Sequence, residues 1–175
     1  MEHIYNLIKE NKLEEAKELL SKIEVTESNQ LLVTMLLNYI KDQEYLLSLT
    51  EEQRTEINNM ITKGSECYKN RNNKEALEIY IMGEYIYDYS VFLYYLGKMY
   101  YKIHDYNESE KYLKRYIEVG SDKLPKAYLY LFKIAEYYDK CNKEEISTTL
   151  SELNKEFCPE FVLKRETKRP KKNRR

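Results

Sequence analysis

The feature that most constrains the fold is the scarcity of turn-forming residues: only four glycines and three prolines occur in 175 residues. Strands joined by tight turns need more of both, because these residues supply the backbone angles of such turns. Stretches such as NKLEEAKELLSKI and EALEIYIMGEYIY instead place apolar residues three and four positions apart, which is the period of an α-helix. The sequence therefore predicts an all-α fold, and this length accommodates one domain.

Short polar segments interrupt the predicted helices, and they resemble one another. The segments KENKLEEAKELL, KNRNNKEALEIY, KIHDYNESEKYL and DKCNKEEISTTL each carry Asn or Asp at the break and acidic residues soon after it. Acidic side chains favour the first turn of a helix, because they complement the partial positive charge of its N-terminus. We therefore expect joints between helices near Asn11, Asn72, Asp105 and Asn142.

Two of these joints share one register. Gly64 lies twelve residues before Ala76, Gly97 lies twelve residues before Ser109, and a bulky residue follows four positions later in both cases. Small residues at these places would allow the two helices of a hairpin to approach closely. The spacing predicts a repeating hairpin of 33 residues, which buries its apolar face by stacking on its neighbours.

These residues carry a family resemblance. The segment LYYLGKMY resembles the first helix of a tetratricopeptide repeat, with Leu93 in the usual tryptophan place. Ser109 and Leu113 match the small and bulky residues of the second helix. The resemblance is strongest over residues 90–123, extends to 57–89, and is weaker over 127–158.

The third copy aligns Ile146 and Leu150 with Ser109 and Leu113, and it needs a few extra residues in the preceding loop EVGSDKLPK. In this alignment Ile134 replaces the glycine of the first helix, and Tyr137 takes the place of Tyr100. Tyr80, Tyr100 and Tyr137 are accordingly expected in the core.

The resemblance implies a right-handed α-solenoid of tetratricopeptide-like hairpins over residues 1–163. We expect residues 1–24 to form a shortened hairpin and residues 29–49 to form another. Thr50–Gln53 has the spacing of a capping box, which predicts the start of a long helix that continues toward Lys69. Residues 164–175 are expected to form a disordered basic tail.

The first helices of tetratricopeptide arrays line a concave face, so the resemblance also implies a peptide-binding groove. Rigid tyrosine rings supply contact area at low entropic cost, and lysines favour acidic partners. An equally open alternative is that these rings only cover the neighbouring helix. The groove residues are Tyr68, Lys69, Tyr94, Tyr95, Lys98, Tyr101, Lys102, Tyr128, Phe132 and Tyr138.

One known class of partner is disfavoured. The family members that bind chaperone tails clamp a terminal carboxylate with Lys and Asn, and this chain has Ile61 and Ser65 at those positions.

Catalysis, metal binding and membrane insertion lack sequence signals. The two histidines, His3 and His104, are far apart, and no nucleophile motif or phosphate-binding loop is present. The three cysteines are widely spaced and odd in number, which is typical of reduced thiols. We therefore expect a non-enzymatic protein without cofactor or metal, located in the cytoplasm, or in the nucleus if its host is eukaryotic.

The charge distribution offers a second kind of partner. The last twelve residues hold eight basic residues and one acidic residue, whereas the other 163 hold 21 basic and 29 acidic residues. Such a basic segment can neutralise several phosphates of RNA or DNA, or contact acidic lipid, an acidic protein or the acidic remainder of this chain. An equally open alternative is that it only aids solubility or acts as a general electrostatic anchor. The candidate contacts are Lys164, Arg165, Lys168, Arg169, Lys171, Lys172, Arg174 and Arg175.

Three functions follow from these patterns. The first is an adaptor that binds a peptide or protein segment of acidic character in the Tyr/Lys groove. The alternative is a nucleic-acid-associated factor that is tethered through the basic tail. A self-associating scaffold, in which the groove or an end hairpin receives another copy, is a third possibility.

Overall fold

The protein is all-α throughout the range that the computed structural model describes, residues 1–157. Within these residues no strand occurs, and no helix is long and apolar enough to cross a bilayer. The helices are α1 (Glu2–Lys9), α2 (Leu13–Ser21), α3 (Gln30–Ser48), α4 (Glu51–Lys69), α5 (Asn73–Ile86), α6 (Val91–Lys102), α7 (Tyr106–Val119), α8 (Leu124–Tyr137) and α9 (Lys143–Phe157).

Four helices end in the same backbone motif. Asn11, Arg71, His104 and Asp139 follow α1, α4, α6 and α8 with positive φ angles of 58°, 63°, 65° and 48°. In each case the next amide donates to the carbonyl five residues earlier, as Asp105 does to that of Tyr100 at 3.0 Å. This is a Schellman motif, which satisfies the last carbonyls of a helix. The joints predicted near Asn11, Asn72 and Asp105 are confirmed, and the joint predicted near Asn142 begins three residues earlier.

The helices form a hairpin at each of these four joints, and α3 belongs to none of these hairpins. α1 packs on α2, α4 on α5, α6 on α7 and α8 on α9, and α5–α6, α7–α8 and α6–α8 contacts connect the last three hairpins. The prediction of a second short hairpin over residues 29–49 is wrong, because α3 is a single helix through this segment. Residues 30–48 contain no glycine, no proline and no residue with a positive φ angle, so the helix continues through the segment.

Within each of two hairpins, the helices come closest at the small residues that the sequence spacing identified. A β-carbon added at Gly97 would lie 2.6 Å from Cγ of Leu113, and one added at Gly64 would lie 2.5 Å from the ring of Tyr80. Both positions therefore need glycine so that the second helix can approach the first. Ser109, like Leu113, has no exposed surface.

The capping box at the start of α4 is confirmed. The hydroxyl oxygen of Thr50 accepts from the amide of Gln53 at 3.2 Å, and the side chain of Gln53 accepts from the amide of Thr50 at 2.9 Å. These two bonds satisfy donors that a helix N-terminus otherwise leaves free.

Helix α3 fastens the N-terminal part to the connections between the later hairpins. Oδ2 of Asp42 accepts hydrogen bonds from the hydroxyls of Ser90 and Ser121, at 2.8 Å and 2.9 Å. The amide group of Asn38 donates to the carbonyl of Glu118 at 3.0 Å, and the hydroxyl of Tyr45 accepts from the amide of Asp88 at 3.0 Å. Helix α3 therefore spans two connections that are 31 residues apart in sequence.

Candidate functional site

Two aromatic rings and an ammonium group meet where side chains of α4 and α6 come into contact. Nζ of Lys98 lies 4.7 Å from the ring centre of Tyr68 and 5.9 Å from that of Tyr95. The ring of Tyr95 is itself stacked on Tyr80, with centres 4.8 Å apart and planes 13° apart. All three side chains are partly buried, which holds the ammonium group against the faces of the rings.

A second group of rings continues this surface onto α8. The rings of Tyr101 and Tyr130 lie 4.9 Å apart, and Nζ of Lys102 lies 6.0 Å from the centre of Tyr101. Burial, with smaller contributions from the nearby hydroxyls of Tyr68 and Tyr101, raises the pKa of Tyr130 to about 12. The residues Tyr68, Tyr95, Lys98, Tyr101, Lys102 and Tyr130 therefore form one group, which we name the Tyr/Lys cluster.

The charge of Lys98 is not balanced within the described part of the chain. Burial lowers the pKa of its amine, and the positive charges of Lys102 and Lys126 lower it further. Among residues 1–153, no carboxylate forms an ion pair with Lys98. By contrast Arg115, on the neighbouring helix α7, pairs with Glu84 at 3.0 Å. The cluster thus presents a partly desolvated positive charge to which a negative group can bind.

Tyr94, which the sequence predicts in the groove, belongs to the core. Only 4% of its surface is exposed, and its ring packs 5.7 Å from that of Tyr116. Burial raises its pKa well above the usual range for tyrosine. Tyr94 and Tyr95 point to different surroundings because adjacent residues of a helix are 100° apart.

Two predicted groove residues of α8 are placed differently. Tyr128 lines a cavity of about 200 Å³ between α7, α8 and α9, together with Glu145 and Ile146. It therefore lies away from the Tyr/Lys cluster. Phe132 is partly buried on α8.

Tyr138 lies at the joint after α8 rather than on the face of the helix. Its ring packs 5.0 Å from that of Tyr137 and 6.0 Å from that of Tyr106. Tyr137 was expected in the core, yet 67% of its surface is exposed. Lys69, the remaining groove residue, is the exposed last residue of α4.

The register of the third repeat explains these differences. The positive-φ residues His104 and Asp139 are 35 apart, so Tyr95, Gly97 and Lys98 correspond to Tyr130, Phe132 and Lys133. The sequence alignment used a shift of 37, which applies only to the second helix, because Cys141 and Asn142 lengthen the joint. The signal was present in the sequence as YLGK and YLFK, 35 residues apart.

A separate cavity of about 330 Å³ lies between α3 and the α5–α6 and α7 regions. Tyr45, Tyr89, Asp88 and Arg115 are among the residues that line it, together with Asp42. Burial raises the pKa of the Asp42 carboxyl to about 6, although the hydrogen bonds from Ser90 and Ser121 oppose this shift, and the charge of Asp122 makes a smaller contribution in the same direction as burial. The sequence alone did not reveal this cavity, because α3 contributes to it from a distant part of the chain.

The described residues hold no group of three or more His, Cys, Asp or Glu side chains that could bind a metal ion. The eight basic residues of the tail, like Cys158, lie outside the described residues. Comparison with family models, with curated proteins and with solved structures gave no match.

Proposed function

We propose that this protein is an adaptor of tetratricopeptide-like architecture that binds an acidic segment of a partner protein on the Tyr/Lys cluster. The observation that carries the proposal is the position of Lys98. Its ammonium group contacts two tyrosine rings, and no carboxylate of the described residues forms an ion pair with it. The repeated joints and the glycine contacts support the architecture, since α4, α6 and α8 correspond to the first helices of successive hairpins.

The chemistry of the cluster suits a carboxylate next to an apolar or aromatic side chain. Tyrosine rings are rigid and amphipathic, so they bury contact area with little loss of conformational entropy. The ammonium group of Lys98 is already partly desolvated, so pairing with a carboxylate removes less water than it would at an exposed lysine. Lys102 and Lys126 add positive charge nearby, which increases the rate of association with an acidic partner.

Peptide binding tests this proposal directly. The probe is a library of labelled twelve-residue peptides that alternate Glu or Asp with aromatic and apolar residues. A matched library carries Gln and Asn in place of the acids. We expect the full chain to bind members of the acidic library and to bind their amide counterparts at least tenfold more weakly, as measured by fluorescence anisotropy. Equal binding of both libraries, or of neither, would contradict the proposal.

A matched pair of variants locates the site. Lys98→Met keeps the approximate length of the side chain and removes its charge. It should lower the affinity for acidic peptides at least tenfold, because hydrogen bonds to charged groups contribute about 1.5–3 kcal/mol. Lys111→Met is the control, because the ammonium group of Lys111 already pairs with Glu108 on α7. Equal effects of the two substitutions would place the contact elsewhere.

A second candidate function is association with nucleic acid through residues 164–175. The observation that favours it is the concentration of eight basic residues in this segment, beside a chain that is otherwise acidic. In that function the helical part would recruit a partner to the RNA or DNA.

A further inference from the structure

Helix α5 exposes an apolar stripe. Ile81, Met82, Tyr85 and Ile86 are exposed by 43%, 57%, 87% and 50%, and they lie on one side of the helix at successive intervals of one, three and one residues. The opposite side of α5 is buried and includes Ala76 and Tyr80. The stripe is therefore additional to the face through which α5 packs into its own hairpin.

The next hairpin provides an internal comparison. Helices α5 and α7 have the same length and follow positive-φ residues that are 33 positions apart, so their residues correspond one to one. Ile86 corresponds to an apolar residue, the exposed Val119, whereas the α7 residues that correspond to Ile81, Met82 and Tyr85 are the exposed side chains Lys114, Arg115 and Glu118. The repeat does not require apolar residues at these positions, so their presence on α5 needs another reason.

We propose that the apolar stripe of α5 is the centre of a self-interface, on which the same stripe of a second copy packs. Large side chains exposed to this extent present an apolar surface on the order of 400 Å². A stable interface buries roughly 800 Å² per subunit, with an apolar centre and a polar rim. The stripe supplies such a centre, and charged residues such as Glu78, Glu84 and Arg115 lie beside it to form the rim.

A second copy fits this surface because an apolar stripe is complementary to itself. In a two-fold dimer the same patch lies on both sides of the interface, so apolar residues meet apolar residues without unpaired charges. A stripe with the charges of α7 would place Arg115 and Lys114 near their own copies. The substitution of apolar residues for charges on α5 is the change that such a contact requires.

This inference goes beyond the proposed function, since it concerns the second helices of the hairpins. The Tyr/Lys cluster belongs to α4, α6 and α8, so a dimer through α5 would leave two clusters available. Two linked clusters bind a partner with two acidic segments more tightly than one cluster does.

The experiment measures the mass of the full chain in solution by sedimentation velocity, between about 1 and 100 μM. We expect the unmodified chain to be a dimer or to become one as concentration rises. The double variant Met82→Arg, Tyr85→Glu introduces the α7 residues at the matching positions of α5 and should be a monomer throughout. Its control is Ser151→Arg on α9, at the exposed position that matches Ile81 of α5, which should associate as the unmodified chain does.

Circular dichroism confirms that the variants keep their helicity. If the double variant loses helicity, the single variant Tyr85→Glu decides, because Tyr85 is 87% exposed and its replacement leaves the core intact. A chain that is monomeric at every concentration overturns the inference. So does a dimer that persists in the folded α5 variant.

Discussion

The hydroxyl of Ser109 donates a 2.7 Å hydrogen bond to the backbone carbonyl of Gly97, across the hairpin that α6 and α7 form. The two residues are twelve positions apart, and a serine with no exposed surface finds its partner on the facing helix. This contact is possible only at short range between the helices, which the absence of a side chain at Gly97 permits. The close distance between α6 and α7 can therefore be tested by a substitution at Gly97.

We expect Gly97→Ala to destabilise the protein by about 1–3 kcal/mol, since the added methyl group would lie 2.6 Å from Cγ of Leu113. The sign is diagnostic, because alanine in an unobstructed helix stabilises by roughly 1 kcal/mol relative to glycine. Urea denaturation measures the free energy of unfolding. The exposed position Thr62 serves as the control, at which alanine should change little. A stabilised Gly97→Ala variant would show that the helices lie further apart.

Tyr94 and Tyr68 should separate folding from binding. Tyr94→Ala removes a buried ring and should lower the free energy of unfolding by about 3 kcal/mol or more. Tyr68→Ala removes a partly exposed ring from the Tyr/Lys cluster, so it should lower stability by only about 1 kcal/mol. Tyr68→Ala should nevertheless lower the affinity for acidic peptides about thirtyfold, which corresponds to a loss of about 2 kcal/mol of binding free energy. Thermal melting and fluorescence anisotropy on both variants give the comparison, and the opposite order of stabilities would contradict it.

The pH dependence of stability should report on Asp42. Burial raises the pKa of its carboxyl from 3.8 to about 6, so the ionised form is disfavoured in the folded protein. The neutral carboxyl of Asp42 therefore makes its full contribution to the free energy of unfolding below pH 3.8. This contribution is lost as pH rises through 6, where the carboxyl ionises in the folded protein. We expect Asp42→Asn to be more stable than the unmodified protein at pH 7.5, by up to about 3 kcal/mol, and to lose roughly half of this advantage by pH 5.

Asparagine suits this site because its carbonyl oxygen can accept the hydrogen bonds from Ser90 and Ser121 that Oδ2 of Asp42 accepts. The control is Asp88→Asn, since Asp88 is exposed and lines the same cavity. Denaturant melts at pH 5, 6 and 7.5 measure the difference. A constant difference across this range would mean that Asp42 does not titrate in it.

Removal of Lys164–Arg175 tests the second candidate function. If the chain binds duplex DNA through these eight basic residues, the truncation should reduce the slope of log affinity against log salt by up to roughly seven units. Titrations of a labelled duplex between 50 and 300 mM salt, at about five concentrations, measure the slope. No binding by the full chain at low salt would eliminate this function, and an unchanged slope would assign the contacts to the helical part.

Local patterns in the sequence were sufficient to predict much of the fold. The helical period, the capping box at Thr50 and the joint at Asn11 are properties of residues close together in the chain. The spacing from Gly97 to Ser109 also predicted the close hairpin, because a fixed loop length sets which residues of two antiparallel helices face each other.

The candidate site was predicted only in part. The sequence identified Tyr68, Tyr95 and Lys98, which the structure brings together, but it included the buried Tyr94 and omitted Tyr130. An inserted pair of residues at a joint shifts one helix of a hairpin against the other, so an alignment made on α9 misplaces the side chains of α8. A shift of two residues turns a helix position by about 200°, which moves it to the opposite face.

The sequence by itself determined the helices, their joints and the close contacts within each hairpin, because these depend on neighbouring residues and on short loops. Only the tertiary structure decided how α3 binds the distant Ser90 and Ser121, how far Asp42 is withdrawn from solvent, and which tyrosines contact Lys98. These features bring together side chains from separate helices. Their positions depend on the rotation of each helix and on the packing of all its neighbours, which no local pattern specifies.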